Sequence, residues 1–219
     1  MSERTKNILE WIECILIAII LAILIRYFLI TPTIVKQESM YPTLKQDERL
    51  LLSRWDRTTR KMPERGEIVT FESPEQSKIY ISLEDADLEY PVAKYENKNM
   101  NIFEKFIYYG LEIGKQSLIK RVIALPGEHV AIKNGKVYIN DEELKEDYLE
   151  EDVKTDIKAY TGKEYAFIDL IVPENTVFVL GDNRDKSTDS RAFGCIPVNK
   201  IEGKVILRFW PFSNFGGVE

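Results

Sequence analysis

Residues 10–30 form one apolar run, from Glu-Trp-Ile-Glu-Cys-Ile-Leu through to Arg-Tyr-Phe-Leu-Ile. Its length matches the ~20 residues that a membrane-spanning helix needs. Glu13 and Arg26 are the only charges within its body, each near an end where a long side chain can snorkel. Trp11 and Tyr27 fall where interfacial aromatic belts form. A cleavable leader is the rival reading, but the run continues into Thr-Pro with no small-x-small cleavage site. The segment is therefore expected to be a retained anchor. Its orientation is not set by charge: Arg4 and Lys6 precede it, while Arg26 and Lys36 follow.

The remainder of the 219 residues suffices for one domain of ordinary size. A formal charge of −6 argues against a nucleic-acid partner, which needs a basic face. Cys14 lies in the apolar run and Cys195 far along the chain, so no disulfide framework is expected. Strand patterns fall at 48–54, 66–71, 118–125, 176–180 and 204–210. Alternation on both sides of Asn134-Gly135 predicts a hairpin over 129–140 with a tight primed turn. The fold class is thus mainly β, an antiparallel sheet domain behind one N-terminal transmembrane helix. Residues 73–116 depart from that pattern. An acidic run, 84–89, reads as a solvated loop, and 101–113 as a helix with Ile102, Phe103, Phe106, Ile107 and Leu111 on one stripe. That stripe is expected to pack on the sheet, with an interfacial helix on lipid as the sharper alternative.

Ser39 stands nine residues after the anchor, a reach of about 30 Å at most. A serine hydroxyl attacks only when a base removes its proton. His129 is the single histidine, with no acidic partner set by spacing, and reads as a surface residue. Lys120 is the other candidate, in the apolar strand Leu118-Ile119-Lys120-Arg121-Val122, where alternation turns it and Arg121 to opposite faces. From strand context alone Lys120 snorkels to solvent. As a base it must be neutral, which burial in apolar surroundings can achieve. Ser117 completes a Ser-x-x-Lys run with Lys120, but the Ser-Asp-Asn and Lys-Thr-Gly elements of penicillin-binding proteins are absent, so it reads as incidental. The stretch 181–194 is dense in turn formers and alternating charge, and lacks the spacing of an EF-hand.

Taken in order, Ser39-Met40-Tyr41-Pro42-Thr43-Leu44, Arg65–Phe71, Lys120–Glu128 and the 181–194 loop resemble the type I signal peptidases, membrane-bound Ser-Lys proteases of the single-anchor Gram-positive form. The resemblance spans most of the chain. It implies Ser39 as nucleophile and Lys120 as general base, overturning the snorkelling reading of Lys120. It also implies that Ser187 orients the lysine and that Asp189 and Arg191 form a buried pair. Met40, Leu44, Leu118 and Ile119 correspond to residues lining the pockets that select Ala-x-Ala. Gln37 occupies a position where the family more often has glycine or serine, and the hydroxyl form supplies a second oxyanion donor. The implied organisation is a cytoplasmic N-terminus (1–9), the anchor (10–30) and an extracytoplasmic catalytic domain (31–219) with an atypical insertion at about 73–116. Implied partners are signal-peptide-bearing preproteins, the lipid bilayer and, transiently, the secretion translocon; no metal or organic cofactor is implied.

Two other functions compete. A catalytically silent, membrane-anchored binding or regulatory relative would have lost Ser39 or Lys120, and both are present. A self-cleaving regulator akin to the SOS repressors would carry a DNA-binding domain where the apolar run stands.

Overall fold

The computed structural model describes residues 3–75, 86–157 and 164–218. A single helix, α1 (Glu3–Phe28), begins seven residues before the apolar run and stops two residues before its end. It is long and apolar enough to cross a membrane, and none of its residues is buried against the rest of the protein. Ile30 already belongs to β1 (Ile30–Ile34), which pairs with β2 (Arg49–Ser53) in antiparallel register. The junction is stiff: the Arg54 N–H donates to the Leu29 carbonyl at 2.7 Å, and Thr31 Oγ1 to the Arg26 carbonyl at 2.6 Å.

After the short helix α2 (Trp55–Thr59) come β3 (Ile68–Glu72), α3 (Ile102–Lys105) and β4 (Ser117–Ala124). The hairpin β5 (His129–Lys133) and β6 (Lys136–Ile139) follows, then β7 (Glu142–Glu143) and β8 (Asp169–Ile171). The chain closes with β9 (Thr176–Leu180), α4 (Ser190–Phe193), β10 (Ile196–Pro197) and β11 (Ile201–Trp210). Two antiparallel sheets result, in the orders β1-β2-β11-β3-β4-β9-β10 and β7-β6-β5-β8. The mainly β, antiparallel expectation holds. Asn134 and Gly135 both take positive φ (55° and 77°), the geometry of the expected primed turn.

Every residue of β3 and of β9 is buried, which is why these strands carry few polar side chains. Three apolar clusters divide the core. One joins the small sheet to β9 through Val130, Val137 and Phe178; a second centres on Phe71, Val122 and Phe193. The third packs Met40 and Leu44 against Leu50, Leu52 and Ile68. Burying each such side chain contributes about 1.5–3 kcal/mol, so the loop that carries Ser39 is pinned by the residues that flank it.

The segment between β3 and β4 differs from expectation. Its helix is a single turn, α3, continued by a π-helical turn at Phe106–Gly110. No residue of either is buried; Ile102 is 88% and Phe103 68% exposed. Packing of this stripe on the sheet is therefore corrected. Polar contacts hold the segment instead: Tyr108 donates to Glu72 at 3.1 Å and Arg54 to Glu112 at 2.6 Å. Glu84 and Asp85 of the acidic run lie outside the described residues.

Candidate active site

The Ser39 loop and the middle of β4 meet on one side of the large sheet. Lys120 Nζ lies 2.6 Å from Ser39 Oγ and donates to the Ile119 carbonyl at 3.1 Å. Lys120 is 1% and Ser39 4% exposed. Burial strips water from the ammonium and pushes the Lys120 pKa down to about 8, although Asp189 and Asp182 pull the other way. A lysine beside a hydroxyl, neutral in appreciable fraction near neutral pH, is placed to take a proton.

The loop after β9 clamps the backbone around Ser39. Asn183 donates its backbone N–H to the Ser39 carbonyl at 3.1 Å and Nδ2 to the Glu38 carbonyl at 3.0 Å. Gly181 lies against the same carbonyl: a Cβ there would fall 2.4 Å from it and 2.2 Å from Ser187 Oγ. Ser187 is buried, and its Oγ makes no hydrogen bond of normal geometry among the described residues, the expected bond to Lys120 included.

Buried ion pairs fix that loop. Arg191 Nε and Nη2 grip the two oxygens of Asp189 at 2.9 and 3.0 Å, both side chains fully buried. Burial alone would raise the Asp189 pKa, but the Arg191 guanidinium, the nearby Ser187 hydroxyl and the Gly181 N–H hold it below the usual carboxylate range. Asp189 also caps α4, accepting the Arg191 N–H at 3.3 Å. Arg191 Nη2 donates to the Arg184 carbonyl at 2.7 Å. Arg184 in turn holds Glu146 at 2.5 Å and the Thr155 hydroxyl.

Sequence reasoning missed the third pair. Arg121 forks onto Asp182 at 3.0 and 2.8 Å, and Thr43 donates to Asp182 Oδ2 at 2.6 Å. One carboxylate thus ties β4, the 181–194 loop and the Ser39 loop together. The available signal was alternation, which sends Arg121 away from Lys120; its partner 61 residues on carries no local mark.

The candidate substrate-contacting residues divide. Gln37 is exposed, and Leu118 and Ile119 are half-buried on β4. Met40 and Leu44 are sealed at 0% exposure, so they form the layer behind any surface a substrate meets. His129 pairs with Asp169 at 2.7 Å in the small sheet, away from the dyad, and Ser117 is exposed at the start of β4.

Comparison with known proteins shows the family. The family model described as signal peptidase, peptidase S26, matches residues 8–210. Signal peptidase IB of Staphylococcus aureus (strain COL) is 34% identical, over 96% of this chain and 93% of that protein. Probable signal peptidase I-1 of Synechocystis sp. is 32% identical, over 94% and 85%. A crystal structure of a signal peptidase I from Enterococcus faecalis V583 aligns with 27% identity and a TM-score of 0.39, covering 66% of this chain and 97% of that one. The chain belongs to the signal peptidases of the S26 family and is a serine endopeptidase of the type I class.

Proposed function

We propose that this protein removes N-terminal signal peptides from exported preproteins, cutting after an Ala-x-Ala-like site with Ser39 as nucleophile and Lys120 as general base. The 2.6 Å contact between Lys120 Nζ and Ser39 Oγ, with the lysine buried and its pKa lowered, carries this reading. Neutral Lys120 accepts the Ser39 proton as Oγ attacks the scissile carbonyl carbon. The Ser39 N–H, which donates to no group among the described residues, faces the developing oxyanion. Lys120 then gives its proton to the leaving amine, and the C–N bond breaks to leave an ester on Ser39. A water deprotonated by Lys120 attacks that ester and frees the new carboxylate and the serine.

Ser187, buried beside Asp189, is assigned the orienting of Lys120. Asp189 and Arg191 hold the loop that bears it. Leu118 and Ile119 supply the apolar edge that meets the substrate, backed by Met40 and Leu44, and Gln37 stands at the exposed entrance. α1 is assigned as the single membrane anchor, with residues 1–9 cytoplasmic and the domain from residue 31 on the outer face, where the cleavage sites of preproteins and the translocon are met.

The test uses detergent-purified wild type, Ser39→Ala and Lys120→Ala with a labelled preprotein ending its signal in Ala-x-Ala. Cleavage after the second alanine by wild type alone is the expected result. Full activity in either variant overturns the dyad, and a folded but inactive wild type restores the silent-relative reading.

A further inference from the structure

A cavity of about 510 Å³ opens where α1 meets the domain. Tyr27 and Phe28 form its anchor wall, Arg57 and Arg60 another, and Tyr109 and Lys115 of the 73–116 segment a third. Its other two cations are paired within the lining: Lys115 faces Glu202 at 2.6 Å and Lys200 faces Glu72 at 3.0 Å. Among the described residues the Arg57 side chain donates to the Tyr27 carbonyl alone, at 2.5 Å, and lies over the Tyr27 ring at 4.5 Å. Among the described residues neither Arg57 nor Arg60 has a carboxylate within ion-pair distance. Burial, and then the neighbouring Arg54, lower the Arg57 pKa, although Tyr27, Glu112 and Glu202 pull the other way. The lining carries two more cations than carboxylates, and two arginines without an ion-pair partner, flanked by aromatic rings, suit a phosphate group.

Beside the cavity lies the face whose packing on the sheet was corrected above. Ile102, Phe103, Phe106 and Ile113 are all exposed. Contiguous apolar side chains left in water mark an interaction surface. Glu112, just past the π turn, bonds Arg54 and pairs with Arg26 of α1 at 3.5 Å, so this face is stitched to the end of the anchor.

We propose that this collar docks on the bilayer surface, with the headgroup of an anionic phospholipid seated between Arg57 and Arg60 and the Ile102, Phe103, Phe106 and Ile113 face immersed beside it. The inference rests on the assignment of α1 as a membrane anchor. Continuity with the anchor selects a lipid as the occupant: free phosphate would use the arginines but leave the apolar face unexplained. Docking at this point adds to the hydrogen bonds of the α1–β1 junction in setting the tilt of the domain over the membrane.

The full-length protein, in micelles doped equally with phosphatidylglycerol and phosphatidylcholine, is examined by native mass spectrometry. Selective retention of phosphatidylglycerol is expected, weakened about fivefold in Arg60→Gln and about 25-fold in Arg57→Gln/Arg60→Gln, from roughly fivefold per charge. Arg60 is exposed, so its single variant carries the test even if the double variant does not fold. Equal retention of both lipids, undiminished retention in Arg60→Gln, or displacement by millimolar inorganic phosphate overturns the proposal. Spin labels at Phe103→Cys and Ile20→Cys, each with Cys14→Ser, separate the two assignments in phosphatidylglycerol vesicles. Both are expected to be shielded from a water-soluble relaxant. A shielded label at 20 with a wet one at 103 overturns the docking alone, whereas a wet label at 20 overturns the anchor and the docking with it.

Discussion

Gly181 backs directly onto the carbonyl of Ser39, close enough that a Cβ on it would stand 2.4 Å from that oxygen. That contact is with backbone, and the Ser187 hydroxyl stands closer still, so a methyl group there must displace both. Gly181→Ala is expected to push the nucleophile off Lys120, lowering kcat at least ~10-fold while KM changes little, because the misplacement affects the reacting atoms. Steady-state kinetics on a preprotein substrate check this, and a wild-type kcat would remove Gly181 from the clamp.

Activity is expected to follow the deprotonation of Lys120. With a pKa of about 8, about one molecule in ten is competent at pH 7. The rate should climb through pH 7 to 8 and level off above the pKa. A pH profile of kcat/KM between 6 and 9, taken with a check of folding, decides the matter; a maximum at acidic pH contradicts a lysine base.

The same burial makes Lys120 a liability for stability. Its folded pKa of about 8 lies below the ordinary 10.5, so between those values the unfolded chain binds more protons and stability rises with pH. Below pH 8 both states are protonated and the folded state bears the whole penalty, about 3 kcal/mol. Lys120→Met is therefore expected to be inactive yet more stable at pH 7, with the gain shrinking by pH 10.5. Chemical denaturation at the two pH values measures it.

Asp182 is expected to matter more for the fold than its place beside the dyad suggests. Asp182→Ala leaves Arg121 buried without its carboxylate, a loss of about 3–5 kcal/mol, and frees Thr43 as well. Arg121→Met/Asp182→Leu should recover much of it, because an apolar pair leaves no charge stranded. A double-mutant cycle by denaturation reads the coupling, and additive losses would show that the pair acts as two separate groups.

What was legible in the chain follows from range. The 129–140 hairpin is written in adjacent residues, and the turn at Asn134-Gly135 appears as its pattern requires. β1 was not legible, because Ile30 closes the apolar run and Pro32 interrupts the strand pattern that follows; its register against β2 is what reveals it. Helical spacing over 101–113 reports which residues share a face, not what that face meets, and the structure leaves it unpartnered. At the site, residue types marked Ser39 and Lys120 as candidates and the resemblance chose between Lys120 and its solvent-facing alternative. The Arg121–Asp182 and Arg184–Glu146 pairs were invisible, since each joins residues tens of positions apart and no local spacing encodes such a partner.

The distance in sequence between the parts of the dyad has a consequence for timing. Ser39 is made early, Lys120 comes 81 residues later, and the Asn183 side chain that braces the loop beside it lies 145 residues beyond Glu38. Such contacts form only after the intervening chain has collapsed. A half-synthesised copy therefore carries a serine with neither base nor brace. The Ser39–Lys120 contact can therefore close only once the chain has reached Lys120, and its brace only once it has reached Asn183.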